Sequence, residues 1–146
     1  MREQYIGKRT SRLLEFRDDN QLPEDKVQGL FESVQWMSAK YASRLVKAFN
    51  NSPTVISAWE GERLIGLVQG IDDGELTAYI HYLLVNPEYQ KEGVGERLIH
   101  YVKEKYRDYL YLIVICEHKD TIPFYEKQGL MVSGESTPIH IIVDRK

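Results

Sequence analysis

The segment from Ile80 to Tyr106 constrains the fold of this chain more than any other. An apolar run ending at Val85 reaches Asn86-Pro87, then a loop with two glycines, and then a stretch with apolar residues at helical spacing. Those spaced apolar residues are Leu98, Ile99 and Val102. The order predicts a strand, a turn, a glycine loop and an amphipathic helix.

The glycine loop predicts an anion-binding site. Gly93 and Gly95 lack the Cβ atoms that would keep a ligand away from the main chain. The backbone N–H groups of residues 91–96 fall in the loop and in the first helical turn, where they have no intrahelical partners. Together with the positive end of the helix dipole, these donors suit a phosphate or pyrophosphate. The alternative is an ordinary loop that enters a helix packed on a sheet.

Two nucleotide-binding motifs can be compared with this loop. A Walker loop needs Lys and then Ser or Thr after its last glycine, whereas Gly95 is followed by Glu96 and Arg97. A dinucleotide fingerprint needs a third small residue where this chain has Leu98, although Glu117 lies near the expected position of its acidic residue. Neither motif is complete, so we expect a phosphorylated ligand of another class.

Composition predicts a single domain over residues 1–146 and limits the partners. The net charge of −3 comes from interleaved acidic and basic residues, so we expect no nucleic-acid partner. No apolar run follows the N-terminus, and the apolar stretch Tyr109–Cys116 is too short for a bilayer, so we expect no signal peptide and no membrane partner. One cysteine fits a reducing cytoplasm, where we place the protein.

Periodicity predicts an α/β fold with a mixed central sheet of about six to seven strands flanked by about four helices. The expected helices begin near Pro23, Ala39, Gly93 and Ile122. The expected strands are Ser11–Phe16, Thr54–Trp59, Arg63–Gly70, Leu76–Val85 and Tyr109–Cys116, with two edge strands in Leu130–Val143. The unit from Ile80 to Cys116 should be a right-handed parallel crossover.

Two motifs resemble those of the GCN5-related N-acetyltransferase (GNAT) family. That family's cofactor motif is Arg or Gln, two residues, Gly, one residue, then Gly or Ala, and here it is Gln90-Lys91-Glu92-Gly93-Val94-Gly95. Its second motif, Phe-Tyr-Glu-Lys-x-Gly, is here Phe124-Tyr125-Glu126-Lys127-Gln128-Gly129. The motifs occur in the family's order, separated by the expected helix and strand, and the resemblance extends over nearly the whole chain.

The resemblance implies transfer of acetyl from acetyl-CoA to an amine by direct attack. It assigns the CoA pyrophosphate to the backbone N–H groups of Lys91, Glu92, Gly93, Val94, Gly95 and Glu96. It assigns the pantetheine arm to the main chain of Leu83, Leu84 and Val85, with an N–H near Leu84 as an oxyanion donor. Tyr125 is the expected general acid for the departing thiolate. We predict no metal site.

Several features of the reaction stay open from sequence. The base that deprotonates the amine could be His81, Tyr82, Glu75 or His118. The acceptor is a small-molecule or peptide amine that we expect the region 23–49 to bind, and a homodimer is one possible assembly. His118 and Thr121 stand where the family commonly has Asn and Ala, so their hydrogen bonding should differ from the family's.

Two other functions compete with an N-acetyltransferase. One is a non-catalytic acyl-CoA-binding or sensing module on the same fold, which the presence of Tyr125 disfavours. The other is a nucleotide-binding regulatory domain, which would bind ATP or NAD and not CoA.

Overall fold

The computed structural model describes residues 1–116 and 118–141. The chain divides into two compact units, Met1–Val114 and Ile115–Lys146. The first unit holds the sheet and three of the α-helices, and the second holds one short α-helix. None of the helices in the described ranges is long and apolar enough to cross a membrane.

The first unit is built on a six-stranded mixed sheet whose strands lie in chain order. Neighbouring strands from β1 to β5 pair antiparallel, and β5 pairs with β6 in parallel. The parallel pair is joined through a helix, as predicted for the segment from Ile80 onward. The strands are β1 Arg2–Ile6, β2 Leu13–Asp18, β3 Thr54–Glu60, β4 Arg63–Asp72, β5 Thr77–Val85 and β6 Tyr111–Val114.

Two helices, α1 (Glu24–Ser33) and α2 (Ala42–Asn50), cover one face of the sheet. Their apolar residues recur at helical spacing and form one buried cluster with alternate residues of the sheet. Phe31 and Phe49 of the helices are fully buried there beside Val55 of β3 and Leu84 of β5. Between the helices, Met37–Tyr41 forms a turn of 3-10 helix.

The opposite face carries α3 (Val94–Lys105), which buries Val94, Leu98, Ile99 and Val102. Just past its end, the Tyr106 hydroxyl donates to Thr54 Oγ1 at 2.6 Å. Thr54 precedes Val55 on β3, and successive strand residues point to opposite faces, so α3 lies across the sheet from α1 and α2. The predicted α/β class and strand number are therefore confirmed, with helices on both faces.

The strand assignments differ from prediction at both ends of the chain. The structure contains β1, which was not predicted because its side chains are mostly exposed and carry no apolar alternation. The two strands expected in Leu130–Val143 are wrong for the described part, since residues 130–141 contain no strand, and residues 142–143 lie outside it. Apolar alternation indicates a strand only where it faces a partner, and Met131 and Ile139 are about fully exposed at 90% and 93%.

The second unit contains a 3-10 turn, Lys119–Thr121, followed by α4, Ile122–Lys127. Pro123 lies in the first turn of α4, where its missing N–H removes no hydrogen bond. Gly129 has a φ of +93°, and its N–H bonds to the carbonyl of Glu126 at 3.0 Å, which ends the helix.

Candidate functional site

The pairing between the parallel strands β5 and β6 covers only the first part of β5. Their pairing runs from Thr77 opposite Tyr111 to Ile80 opposite Val114, and β6 ends there. No other strand of the described chain pairs with this side of residues 81–85, which we call the open edge of β5. Its backbone groups can therefore pair with an extended ligand as an added strand would. Leu83, Leu84 and Val85 all lie on the open edge, and the side chain of Leu84 belongs to the core.

A β-bulge marks the start of the open edge. Gln69 of β4 lies opposite Tyr82, and the next residue, Gly70, lies opposite Ile80, so His81 is the extra residue. Bulges redirect side chains and are common beside active sites. We call the place where β6 ends and β5 continues without it the fork. Of the four candidate bases, His81 and Tyr82 thus lie at the fork.

The other two candidate bases lie elsewhere. Glu75 lies in the exposed β4–β5 turn, where its N–H bonds to Asp73 Oδ1 at 2.9 Å. That turn is about 20 Å from His81 along the strand, at about 3.3 Å per residue, so Glu75 is excluded from the fork. His118 belongs to the second unit.

Asn86-Pro87 makes a rigid exit from β5. The Asn86 N–H donates to the Ile65 carbonyl at 2.8 Å, which ties the turn to β4. The Asn86 side chain accepts from the N–H of Glu88 at 2.9 Å and caps the short 3-10 turn Pro87–Tyr89. Tyr89 is buried beneath the turn with the Arg12 guanidinium 4.5 Å above its ring. These contacts hold the entrance to the glycine loop.

Glu92 anchors the loop to the first hairpin. Its carboxylate is fully buried and accepts from the N–H groups of Arg9 (2.6 Å) and Thr10 (2.9 Å) and from the Thr10 hydroxyl. Its carbonyl accepts from the Lys8 N–H at 3.0 Å and the Tyr5 hydroxyl at 2.8 Å. The sequence predicts a role only for the backbone N–H of Glu92, as a donor to the pyrophosphate. These partners lie 82 or more residues away, so no local signal could have revealed the anchor.

Gly93 is required for a second reason besides ligand approach. Its φ of +87° and ψ of +9° lie in the left-handed region, and an ideal Cβ there would come 2.2 Å from the Tyr5 hydroxyl and 3.0 Å from Lys8. A side chain at position 93 would therefore strain the backbone and require the Tyr5 and Lys8 side chains to move. From the sequence, Gly93→Asp should remove ligand binding and keep the fold largely intact. The left-handed φ of Gly93 indicates that this substitution would also cost stability.

The start of α3 presents backbone donors that the described chain leaves unused. Gly93 is the N-cap and supplies no side-chain cap, and the Arg97 N–H makes the first intrahelical bond, to the Gly93 carbonyl at 3.1 Å. The N–H groups of Val94, Gly95 and Glu96 precede that bond. The left-handed Gly93 followed by the helical Val94 gives the concave arrangement of N–H groups that binds anions. The helix dipole adds positive potential at the same place.

Two lysine side chains lie beside the glycine loop. Lys91 has a φ of +66°, an uncommon conformation for a side chain of this size, and is exposed beside the loop. Lys8 Nζ lies 3.2 Å from a carboxylate oxygen of Glu96. The candidate anion site is therefore formed by main-chain N–H groups, with basic side chains beside it.

Tyr125, the predicted acid, lies in α4 of the second unit and is partly buried. Burial, with a smaller contribution from Cys116, raises the pKa of its phenol to about 12. The Thr121 hydroxyl donates to the His118 carbonyl at 2.7 Å, and the Thr121 N–H donates to the same oxygen at 3.0 Å. Of the two departures from the family motif, the Thr121 hydroxyl thus helps to close the turn before α4, whereas His118 contributes only its backbone carbonyl there.

We expect Glu92→Gln to lower the melting temperature by several degrees at pH 7. Hydrogen bonds from the Thr10 hydroxyl and from the N–H groups of Thr10 and Arg9 lower the pKa of the Glu92 carboxyl. Its stabilising effect is fully present above the unfolded pKa of about 4.3 and is lost as pH falls through the lower folded value. Thermal unfolding from pH 3 to 7 should show the two proteins converging in acid. Glu62→Gln, at an exposed turn, is the control. A difference that is equal at pH 3 and 7 would contradict the assignment.

Comparison with known proteins agrees with this architecture. The model of the acetyltransferase (GNAT) family matches residues 15–130, more than half of the chain. A GNAT family acetyltransferase of Streptococcus pneumoniae superposes with a TM-score of 0.76 over 91% of this chain and 99% of its own, at 21% identity. At that identity the likeness establishes the fold alone.

Two curated relatives are uncharacterized N-acetyltransferases. The ycf52-like protein of Prochlorococcus marinus is 30% identical over 71% of this chain, and the ycf52 protein of Pyropia yezoensis is 27% identical over 73%. The matches span 60% and 63% of those proteins, less than two thirds of their length. On the family match and the fold, this chain belongs to the GNAT family of acetyltransferases.

Proposed function

We propose that this chain is an N-acetyltransferase that transfers acetyl from acetyl-CoA to an amine by direct attack. The observation that carries the proposal is the uncapped start of α3 next to the open edge of β5, both within one compact unit. A pyrophosphate joined to an extended amide-bearing arm matches this pair of features. Acetyl-CoA has that form.

Different groups of the chain bind different parts of acetyl-CoA. In the proposal, the N–H groups from Lys91 to Glu96 hold the pyrophosphate and the open edge of β5 pairs with the amides of the pantetheine arm. An N–H near Leu84 donates to the thioester oxygen, where negative charge develops in the transition state. Tyr125 is the proposed acid for the leaving group, and its hydroxyl donates to the sulfur as the C–S bond breaks.

The segment between α1 and α2 is the proposed acceptor side. Ser38 lies 3.2 Å from the Tyr82 hydroxyl, and the Trp36 and Tyr82 rings have centroids 5.9 Å apart. Since Tyr82 lies on the open edge, these contacts support this segment as the acceptor side. Met37 and Tyr41 are exposed on the same segment. These groups support an amine acceptor with apolar surface.

We expect CoA and acetyl-CoA to raise the melting temperature, whereas NAD and ATP with magnesium at equal concentration raise it much less. A ligand that binds only the folded state stabilises it in proportion to the logarithm of its concentration over Kd. At a hundred times Kd this amounts to about 2.7 kcal/mol. A larger shift with either nucleotide would indicate a nucleotide-binding regulatory domain instead.

Turnover separates an enzyme from a CoA-binding module. Thioester consumption would be followed with alkyl-, arylalkyl- and polyamines, amino acids and a peptide with a free N-terminus. We expect acetyl transfer to at least one class. Tight CoA binding without transfer to any of them would point to the non-catalytic module.

A further inference from the structure

The first hairpin holds residue 92 of the glycine loop by both its side chain and its main chain. This hairpin consists of β1, β2 and the turn of residues 7–12 between them. The Glu92 carboxylate accepts from two N–H groups and one hydroxyl of that turn. The Glu92 carbonyl accepts from the Lys8 N–H at 3.0 Å and from the Tyr5 hydroxyl at 2.8 Å. All of these donors belong to residues 5–10, so the N-terminal segment of the chain holds the loop.

The hairpin turn is closed by hydrogen bonds of its own. The Gly7 N–H donates to the Arg12 carbonyl at 2.8 Å, and the Ser11 N–H donates to the Gly7 carbonyl at 3.1 Å. Ser11 has a φ of +58°, in the left-handed region that serine seldom adopts. The successive N–H groups of Arg9 and Thr10 both donate to one carboxylate oxygen of residue 92, at 2.6 and 2.9 Å. The turn therefore presents a defined set of donors to the glycine loop.

The contacts of the Glu92 carbonyl determine where the next N–H points. This carbonyl and the N–H of Gly93 belong to one planar trans peptide group, in which the two point in opposite directions. Because Tyr5 and Lys8 hold the carbonyl toward the hairpin, the Gly93 N–H points away from the hairpin. That N–H is the first donor of the concave arrangement at the start of α3.

The Glu92 carboxylate is a negative charge within a loop that is a candidate anion site. A like charge directed at the ligand would weaken the binding of a pyrophosphate. Here the carboxylate is fully buried, and its donors come from the hairpin turn. An ideal Cβ on Gly93 would likewise meet Tyr5 and Lys8 of the hairpin. The charge is thus directed into the hairpin, which makes it compatible with an anion on the N–H groups of the loop.

We propose that the first hairpin is part of the CoA site, with Tyr5 and Thr10 as positioning residues that act through Glu92 on the Gly93 N–H. The proposal rests on the proposed N-acetyltransferase function only in naming acetyl-CoA as the ligand. Tyr5 holds the carbonyl of residue 92, and Thr10 holds its carboxylate. A loop that is ordered before the ligand arrives loses less conformational entropy on binding, so removal of either hydroxyl should weaken CoA binding.

Binding measurements test the two hydroxyls separately. Tyr5→Phe removes one hydroxyl and keeps the ring, whose centroid lies 5.4 Å from that of Phe16. Thr10→Val removes the other with little change of shape. Each should lower the affinity for CoA and for inorganic pyrophosphate by about three- to tenfold in isothermal titration, as for one net hydrogen bond. Thr10→Ser should restore the affinity. Tyr111→Phe on β6 and Thr77→Val at the start of β5 are the matched controls and should bind CoA like the unaltered protein.

The response of the Gly93 N–H is measured without turnover. In protein labelled with carbon-13 at glutamate carbonyls and nitrogen-15 at glycine, a carbonyl-filtered spectrum retains only Gly61 and Gly93, the two glycines that follow a glutamate. CoA and inorganic pyrophosphate should shift the Gly93 signal and leave that of Gly61, in the exposed β3–β4 turn, in place. Tyr5→Phe should reduce the shift of the Gly93 signal at saturating ligand. CoA binding to the unaltered protein without a shift at Gly93 would overturn the proposal.

Kinetics separate positioning from a merely structural role. With an amine that the protein acetylates, Tyr5→Phe and Thr10→Val should raise the KM for acetyl-CoA by about three- to tenfold and leave kcat within about twofold. The melting temperature of each variant is measured first, and binding and kinetics are then compared well below it. A lower melting temperature with unchanged CoA affinity and unchanged KM would mean that these contacts stabilise the fold alone, and the proposal would fail.

The outcomes separate this proposal from the proposed function. If an amine is acetylated while Tyr5→Phe and Thr10→Val bind CoA like the unaltered protein, the hairpin does not position the loop and the N-acetyltransferase function stands. If both variants bind CoA more weakly but no amine of the panel is acetylated, the role of the hairpin stands and the N-acetyltransferase function fails. If the unaltered protein does not bind CoA, both fail.

Discussion

Gly95→Asp should lower the affinity of this chain for CoA by about thirty- to a thousandfold while its melting temperature stays the same or rises. Gly95 lies within α3 and outside the left-handed region, so a side chain there does not strain the backbone. A carboxylate in the first turn of a helix interacts favourably with the dipole and stabilises the helix by roughly 0.3–1 kcal/mol. This one substitution should therefore stabilise the folded state and weaken CoA binding.

The size of the effect comes from charge repulsion at short range. Two unit charges about 4 Å apart repel by about 4 kcal/mol at the effective dielectric of a protein surface, and partial hydration reduces this to about 2–4 kcal/mol. A factor of ten in affinity corresponds to about 1.4 kcal/mol, which gives the expected range. Isothermal titration with CoA at fixed ionic strength is the measurement. Raising the salt concentration should reduce the difference in CoA affinity between the variant and the unaltered protein.

Two variants separate the charge from the bulk of the side chain. Gly95→Ala adds only a Cβ, which the family motif accepts at this position, and should bind CoA within a few fold of the unaltered protein. Gly95→Asn has the shape of the aspartate without its charge and should lie between the two. If the asparagine and aspartate variants bind CoA equally, charge at the start of α3 is irrelevant and the pyrophosphate lies elsewhere. Gly93 would be a poorer choice because its substitution disturbs Tyr5 and Lys8.

The fold could be predicted where periodicity reflects burial. The helix Val94–Lys105 and the strands β3, β4 and β5 carry apolar residues at the spacing of their buried faces, and they lie within a few residues of the predicted ranges. Strand β1 was missed because backbone pairing with β2, rather than apolar burial, holds it in the sheet. The tail shows the converse error, since its apolar alternation faces no partner in the described residues.

The candidate site was predictable only in its main-chain part. Glycines before an amphipathic helix predict N–H donors without intrahelical partners, because the local sequence alone indicates the backbone conformation there. The side chains that hold the loop come from distant positions, with Tyr5 and Thr10 separated from Glu92 by 87 and 82 residues. No spacing rule links residues that meet only after folding. This is why Glu92, Tyr5 and Thr10 had no predicted side-chain role.

Tyr125→Phe should lower kcat by about ten- to a thousandfold and change CoA affinity little. The substitution removes one hydroxyl and keeps the ring, so most of the packing of α4 is retained. The departing thiolate would then depend on water for its proton. Pre-steady-state measurement of thiol release alongside kcat would establish that chemistry limits the rate. Tyr111→Phe, on an exposed tyrosine of β6, is the matched control and should leave kcat unchanged.

The raised pKa of Tyr125 places the effect toward the lower end of that range. Its phenol, at a pKa of about 12, is a far weaker acid than a thiol at about 8.5. Complete proton transfer to a fully formed thiolate is therefore uphill by about 5 kcal/mol, at about 1.36 kcal/mol per unit. The hydroxyl can assist chiefly by donating a hydrogen bond while charge develops on sulfur. A ten- to hundredfold loss is about what one such donor supplies.

The same pKa determines the pH dependence that tests the role. With a pKa of about 12, Tyr125 stays protonated throughout the range from pH 6 to 10, so its ionisation should produce no alkaline decline there. The ratio of kcat between the unaltered protein and Tyr125→Phe should then be constant up to pH 10, because the donor is present at every point. The ratio of the two kcat values should begin to fall only as the pH approaches the pKa of the phenol. Equal kcat values for the two proteins would remove Tyr125 from the mechanism and leave positioning by the glycine loop and the open edge of β5 as the source of catalysis at the leaving group.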